Sequence, residues 1–248
     1  MEEEIKEFFN GIVETLFPSN VTCFLCGEEV WNDKYVLCNT CEREVVFPDK
    51  ICLKCGTPLH SLANYCLTCK NNKRYFAMAR APLVYKDKVA GAIKRFKYEN
   101  KRYMAKYFAI FMAEEFERNK NEIGEIDFLI PVPLHEEKEK ERGFNQSKLL
   151  ADELSKMIEI PVLEGNLVRV KNTKTQTELS YKERQENLEK AFKVLNWREI
   201  KGKRVVLIDD VLTTGSTLNH CAHVLSNSGA AAVYALTAAT TDSEGEDD

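Results

Sequence analysis

The sequence predicts an α/β protein in which a parallel sheet flanked by helices follows a small metal-binding domain. Three features support this prediction. An apolar strand, an acidic pair, a glycine loop and a helix follow one another between Arg204 and Leu225. A second strand, loop and helix come in the same order over residues 126–154. Four C-x-x-C pairs lie between residues 23 and 69, ahead of both.

The first strand is the apolar and mostly β-branched run from Val205 to Ile208, a pattern typical of a parallel strand buried on both faces. Asp209 and Asp210 come next, at the edge of the sheet where ligands bind in open α/β folds. A hydroxyl-rich loop then leads into a helix that Ser216 or Thr217 is predicted to cap. The loop consists of Thr213, Thr214, Gly215, Ser216 and Thr217. Because glycine lets the backbone approach a phosphate closely and the helix end favours an anion, the segment predicts a sugar-phosphate site.

Four apolar residues, two acids, two apolar residues and T-T-G-x-T resemble the loop that binds phosphoribosyl pyrophosphate (PRPP) in type I phosphoribosyltransferases. The resemblance implies that Asp209 and Asp210 are the catalytic acids and hold the ribose hydroxyls. It implies that the backbone of residues 213–217 holds the 5′-phosphate, with magnesium on the pyrophosphate. The alternative is a plain strand-to-helix crossover whose acids are only solvated.

The second strand is predicted over Ile126–Val132, followed by a charged stretch and by a helix that R-G-F-N-Q opens. In the phosphoribosyltransferase fold the loop after this strand holds the pyrophosphate. The resemblance therefore implies pyrophosphate contacts from Val132, Pro133, Leu134 and His135, with Arg142 as an added anion contact. A lone histidine such as His135 is more often an ordinary loop residue than a catalytic base.

The four cysteine pairs predict two structural zinc sites. They are separated by 11, 10 and 10 residues, and two C-x-x-C turns complete one tetrahedral four-sulfur shell. Sequential pairing gives one site to Cys23, Cys26, Cys38 and Cys41, and the other to Cys52, Cys55, Cys66 and Cys69. An interleaved pairing satisfies the same spacing. Redox dithiols are the weaker interpretation, because thioredoxin-like motifs come singly beside a βαβ unit.

Charge and hydropathy predict a cytoplasmic protein that does not insert into a membrane. No apolar run reaches the roughly 20 residues of a membrane span, and the acidic amino terminus lacks the basic start of a signal peptide. The net charge of −4 comes from 35 basic and 39 acidic residues. Five of those acids lie in the tail at 242–248, which we expect to be disordered.

Residues 70–106 contain twelve basic residues against Asp87 and Glu99, interleaved with six tyrosines and phenylalanines. This mixture suits phosphate contact and base stacking, and Lys94, Arg95 and Lys97 are the candidate nucleic-acid contacts. The alternative is that these charges coat the solvent faces of two helices, near 88–98 and 101–118.

The chain as a whole resembles the ComF family. The resemblance rests on P-V-P-L-H at 131–135, R-G-F-N-Q at 142–146, residues Arg169–Ser180, E-R-x-x-N at 183–187, the 208–217 loop and the cysteine pairs. It implies zinc ribbons, a type I phosphoribosyltransferase fold and a bacterial role in DNA uptake and natural transformation. The predicted domains are an amphipathic helix at 1–20, zinc ribbons at 21–75, a phosphoribosyltransferase-like domain at 76–241 and the tail at 242–248.

Three functions compete at this point. The first is an enzyme in which an acceptor displaces pyrophosphate from magnesium-PRPP. The second is a single-stranded DNA-binding protein of the uptake machinery, in which the PRPP site is regulatory or vestigial. The third is a scaffold whose zinc ribbons bind a protein partner. The sequence identifies neither the acceptor nor the oligomeric state.

Overall fold

The structure is a computed structural model that describes residues 22–30, 36–45, 50–170 and 191–242. The helix predicted within residues 1–20, most of the Arg169–Ser180 motif and the end of the acidic tail lie outside these ranges. The chain divides into two compact units, Met1–Val45 and Val46–Asp248. Among the described residues, no helix combines the length and the apolar content needed to span a bilayer.

The first unit is a cysteine-rich fold around helix α1 (Asn39–Glu44). Thr22 and Glu29 form an antiparallel bridge across the first C-x-x-C turn. Gly27 follows that turn with a φ of +85° and donates its N–H to the Cys23 carbonyl at 2.7 Å. Cys38 caps α1 by accepting a hydrogen bond from the Cys41 N–H.

The second unit begins with the same construction. Ile51 bridges Pro58, and Gly56, with a φ of +73°, donates to the Cys52 carbonyl at 2.8 Å. Helix α2 (Leu67–Asn71) follows. The chain then enters the main sheet.

The main sheet is parallel, and its strands are β1 (Ala79–Arg80), β2 (Leu83–Val84), β3 (Phe128–Pro131), β6 (Arg204–Leu212) and β7 (Ala232–Thr240). Their spatial order is β1-β7-β6-β3, and β2 also pairs with β7. A separate antiparallel ribbon joins β4 (Leu167–Arg169) to β5 (Phe192–Val194). Strand β6 is therefore central, with β3 on one side and β7 on the other.

Helices cover both faces of this sheet. They are α3 (Asp87–Tyr98), α4 (Met104–Ile123), α5 (Glu136–Arg142), α6 (Gln146–Ile158) and α7 (Ser216–Asn227), with a 3-10 turn at Trp197–Glu199. Val205 and Leu207 pack in one core with Cys221 and Leu225 of α7. Because side chains alternate along a strand, Val206 and Ile208 point to the opposite face. The two-faced burial predicted for residues 205–208 is thus observed, and all four are at most 1% exposed.

Candidate functional site

The acidic pair lies at the carboxyl end of the central strand. The apolar run ends at Ile208, but β6 continues to Leu212, because its ladder with β7 extends through Leu212 and Thr240. Asp209 and Asp210 are therefore held by strand hydrogen bonding rather than by a loop. The Asp210 side chain is only 11% exposed.

Two side chains from distant parts of the sequence converge on this pair. The Ser147 hydroxyl, in the first turn of α6, donates to Asp209 Oδ1 at 2.8 Å. Lys97 Nζ, in the last turn of α3, lies 2.9 Å from Asp210 Oδ1. The Asp210 backbone N–H also donates to Asp209 Oδ1. Burial raises the pKa of Asp209 to about 7 and the Asp210 carboxylate adds to this, whereas Ser147, the Asp210 N–H and Lys97 oppose it.

The predicted phosphate loop follows directly. Thr213, Thr214 and Ser216 are exposed, Thr217 is partly exposed and Gly215 is buried. The helix is not capped by Ser216 or Thr217 as predicted: it begins at Ser216, and its N-cap is Gly215, with a φ of +70° and no capping side chain. The physical reason is that the backbone enters the helix in a left-handed conformation that glycine adopts most easily. The Thr214 and Ser216 hydroxyls lie 2.9 Å apart at this helix end.

The predicted pyrophosphate loop lies at the same edge of the sheet. Pro131 pairs with Ile208 across β3 and β6, so Val132, Pro133, Leu134 and His135 leave the sheet beside the acidic pair. Asn145 caps α6 and donates to the Val132 carbonyl at 3.1 Å, which fixes the loop. A cavity of about 230 Å³ adjoins this loop, with Asn145 and Lys148 in its lining.

Two of the predicted anion contacts have partners within the protein. His135 caps α5 by accepting a hydrogen bond from the Glu137 N–H at 3.3 Å, the ordinary loop role that the sequence favoured for it. Arg142 donates to Gln146 Oε1 at 3.1 Å and to the Tyr98 hydroxyl at 3.2 Å. These two bonds use two of the five N–H donors of the guanidinium, so Arg142 is held in place and still has donors for an anion.

The eight paired cysteines form two sequential tetrads, which decides between the two pairings that the sequence allowed. One contains Cys23, Cys26, Cys38 and Cys41, the other Cys52, Cys55, Cys66 and Cys69, and within each the sulfurs lie within 4.8 Å of one another. Zn–S bonds of about 2.3 Å place the sulfurs of a tetrahedral shell roughly 3.8 Å apart. The Cys26–Cys38 and Cys55–Cys66 sulfurs lie 3.6 and 3.7 Å apart, so both donor sets fit zinc.

The basic residues at 70–106 differ in their surroundings, since some make contacts within the protein and others are exposed to solvent. Arg80 is 6% exposed and donates to Asn119 and to the Leu53 carbonyl. Arg74 donates to the Thr214 carbonyl, and Lys97 pairs with Asp210. Lys94 is exposed on α3, and Arg95 is partly exposed. Of the three predicted nucleic-acid contacts, the structure therefore directs Lys97 toward the acidic pair.

Sequence reasoning missed Ser147, Asn145 and Arg74 as members of this site. Asn145 carried a detectable signal, because asparagine is a preferred N-cap and a helix was predicted to open there. Ser147 and Arg74 carried none. They are 62 and 140 residues from their partners in the chain.

Comparison with known proteins agrees with this architecture. The family model of the phosphoribosyl transferase domain matches residues 141–248, and that of the double zinc ribbon domain matches residues 12–70. Competence protein F of Haemophilus influenzae is 33% identical over 214 residues, 85% of this chain and 93% of that protein. DNA utilization protein YhgH of Escherichia coli K12 is 28% identical over 213 residues, with the same coverage. Competence protein ComFC of Bacillus subtilis is 29% identical over 228 residues, 85% of this chain and 90% of that protein.

A solved structure, the glutamine PRPP amidotransferase of B. subtilis complexed with ADP and GMP, is 21% identical with a TM-score of 0.40. It covers 55% of this chain and 26% of its own. That likeness is too low to add support. The family models and the observed sheet confirm the predicted phosphoribosyltransferase fold and its small amino-terminal zinc-ribbon region.

Proposed function

This chain belongs to the ComF family of competence proteins, and on that premise we propose that it binds magnesium-PRPP at the carboxyl edge of its sheet and transfers the phosphoribosyl group. The observation that carries the proposal is the continuity of β6 with its loop. Two carboxylates lie near the carboxyl end of the strand, and after Val211 and Leu212 come the hydroxyls of residues 213–217 and the amides at the start of α7. One end of this arrangement suits hydroxyls, and the other suits a phosphate.

Each part of a bound PRPP then has a partner. Asp209 and Asp210 accept hydrogen bonds from the ribose hydroxyls, and the amides at the start of α7 donate to the 5′-phosphate. The pyrophosphate lies against residues 132–135. A magnesium ion bound with the pyrophosphate would offset part of its negative charge. The bond from the anomeric carbon to the pyrophosphate oxygen breaks and a bond to the acceptor forms, so that stabilising the leaving charge is the main catalytic contribution.

Ser147 and Lys97 prepare the acidic pair for this ligand. The Ser147 hydrogen bond fixes one Asp209 oxygen and favours its ionised form. Lys97 provides the countercharge for Asp210 in a poorly exposed position, where an unpaired carboxylate would be costly. The charge and hydropathy of the sequence favour the cytoplasm, and membership of the ComF competence family favours a role in DNA uptake.

Calorimetric titration of magnesium-PRPP into the zinc-loaded protein tests the proposal. We expect saturable binding in the wild type and its loss in the double variant Asp209→Asn/Asp210→Asn. Glu117→Gln, on the exposed side of α4, is the control and should bind as the wild type does. Absence of binding by folded wild-type protein would reject the PRPP site, and binding without acceptor-dependent pyrophosphate release would reject turnover.

A second function, single-stranded DNA binding, is favoured by a separate observation. Tyr98 and Tyr103 expose 66% and 58% of their surface, on the same segment as the exposed Lys94. Exposed rings beside cations suit base stacking and phosphate contact. Binding of oligothymidylate should weaken steeply with added salt, and it should fall in Lys94→Ala and Arg95→Ala. Salt-independent or absent binding would reject this function.

A further inference from the structure

The second cysteine tetrad shares its core with the phosphate loop. Cys52 and Cys55 are 0% and 4% exposed. They lie in one continuous apolar cluster with Leu212 and Leu218, the buried residues on either side of the loop at 213–217. Cys66 and Cys69 pack against the same cluster. The first tetrad belongs to the other compact unit.

Residues 73–75, here called the connecting segment, join this tetrad to the sheet and hydrogen-bond to the start of α7. Arg74 Nη2 donates to the Thr214 carbonyl at 2.9 Å. The Tyr75 N–H donates to Asn219 Oδ1 at 2.7 Å, and Asn219 Nδ2 donates to the Lys73 carbonyl at 3.1 Å. The Asn219 N–H in turn donates to the Gly215 carbonyl at 2.8 Å. The segment is thus bonded to both the loop and the first turn of its helix.

Arg74 also packs against the core that contains the tetrad. Its guanidinium carbon lies 5.8 Å from the centroid of the Phe76 ring, and Phe76 is fully buried in the same apolar cluster as Cys52 and Cys55. The Arg74 Nε atom is buried and has no hydrogen-bond partner within the described part of the chain. One guanidinium therefore contacts both the core around the second tetrad and the backbone of the phosphate loop.

We propose that Arg74 is a positioning residue that couples the second zinc site to the phosphate loop, so that zinc at this site, and not at the first, sets the affinity for the sugar phosphate. The inference rests on the proposed function only for the identity of the ligand. The coupling between the second tetrad and the conformation of the phosphate loop does not depend on the proposed function. The two zinc sites then differ in role although their cysteine spacing is nearly the same.

Hydrogen–deuterium exchange of the full chain, without PRPP, tests the coupling. In Arg74→Ala, the amides of Ser216 and Asn219, which donate to Thr214 Oγ1 and to the Gly215 carbonyl, should exchange about tenfold faster than in the wild type, because the charged hydrogen bond to the Thr214 carbonyl is lost. Zinc content should remain two per chain. The matched control is Lys73→Ala, which removes the same charge from an exposed neighbour and keeps the carbonyl that binds Asn219. It should stay within about twofold of the wild type.

Calorimetry with magnesium-PRPP then separates positioning from general destabilisation. Arg74→Ala should bind about tenfold more weakly with its melting temperature nearly unchanged, and Arg74→Lys, which keeps a donor, should recover part of that loss. Unchanged loop exchange in Arg74→Ala would overturn the coupling. If the wild type itself fails to bind PRPP while the exchange effect is present, the proposed function fails and the coupling is upheld.

The two tetrads provide the final comparison. Cys66→Ser/Cys69→Ser should lose one zinc and expose the Ser216 and Asn219 amides to exchange. Cys38→Ser/Cys41→Ser should also lose one zinc but leave those amides protected. Equal effects from the two pairs, or protection that persists without the second zinc, would overturn the assignment of different roles. Should Cys66→Ser/Cys69→Ser not fold, the Arg74→Ala result decides alone.

Discussion

Among single residues, the acidic pair is the most informative, because its two carboxylates differ. Asp209 is held by a hydroxyl and a backbone N–H, while Asp210 has a lysine as its partner. Burial and the neighbouring charge raise the pKa of Asp209 to about 7. Asp209 is therefore close to half protonated at neutral pH until a ligand or cation adds positive charge nearby.

This raised pKa predicts a pH-dependent contribution to stability. The folded state holds the Asp209 proton more tightly than the unfolded state, whose aspartate pKa is about 4. The contribution is therefore fully present below pH 4 and is lost as the pH rises through about 7. Asp209→Asn cannot titrate. The free energy of unfolding of the wild type, relative to that of this variant, should fall between pH 5 and pH 8 in urea titrations.

Because the zinc sites titrate in both proteins, their effect cancels in that difference. A difference that stays constant over the same pH range would mean that Asp209 is ionised throughout. It would also mean that Ser147 and Lys97 outweigh burial.

Ser147 provides a second test at this scale. Removing its hydroxyl in Ser147→Ala takes away a bond to a carboxylate, worth roughly 1.5–3 kcal/mol. Asp209 should then be less ionised and less well oriented, and we expect magnesium-PRPP affinity to fall about tenfold by calorimetry. Ser155→Ala, two turns further along the same helix, should bind as the wild type does. Equal affinities of the two variants would show that Ser147 has no role in the site.

Among the elements, the two cysteine turns form a natural pair for comparison. Gly27 and Gly56 each follow a C-x-x-C turn with a positive φ. A Cβ at Gly27 would meet nothing within 4 Å, whereas one at Gly56 would lie 2.7 Å from the Ala79 carbonyl oxygen. The second turn is therefore packed directly against strand β1.

We expect Gly27→Ala to cost about 1–2 kcal/mol, the cost of a left-handed conformation in a residue with a side chain. Gly56→Ala should cost that amount and a further 1–3 kcal/mol, because the β1 backbone must move. Thermal unfolding of the zinc-loaded proteins measures both. A smaller loss of stability in Gly56→Ala than in Gly27→Ala would contradict the close packing of the second turn.

Elements were easier to predict than the contacts between them. The 205–208 strand, the 146–158 helix and the 216–227 helix follow from apolar periodicity, which local sequence records. The extension of β6 through Asp209 and Asp210 cannot be predicted from apolar periodicity, because it depends on a partner strand more than 20 residues away. In its local sequence Lys97 cannot be told from an ordinary surface lysine. Its pairing with Asp210 arises only when α3 packs near the sheet edge.

For the whole molecule, the spacing of the cysteines does not determine how the zinc region divides between the two compact units. Spacing alone groups all four pairs in one region, residues 21–75, while the contacts divide the chain between Val45 and Val46. What distinguishes the second tetrad is its surroundings. Leu59, Phe76 and Ala79 join it to the core that also contains Val205 and Leu207. A tertiary core of this kind leaves no periodic signal around the cysteines.

Two truncations test this organisation. A chain of residues 46–248 keeps the second tetrad and the core around it, and we expect it to fold, retain one zinc and bind magnesium-PRPP within about threefold of the full chain. A chain of residues 76–248 removes Cys52, Cys55 and Leu59 from the core, and each large apolar side chain uncovered costs about 1.5–3 kcal/mol. It also lacks Arg74. We therefore expect it to aggregate or to show no PRPP binding.

If the shorter chain folds and binds PRPP as well as the longer one, then the second tetrad is an independent module. If the longer chain loses binding, residues 1–45 are needed for the site.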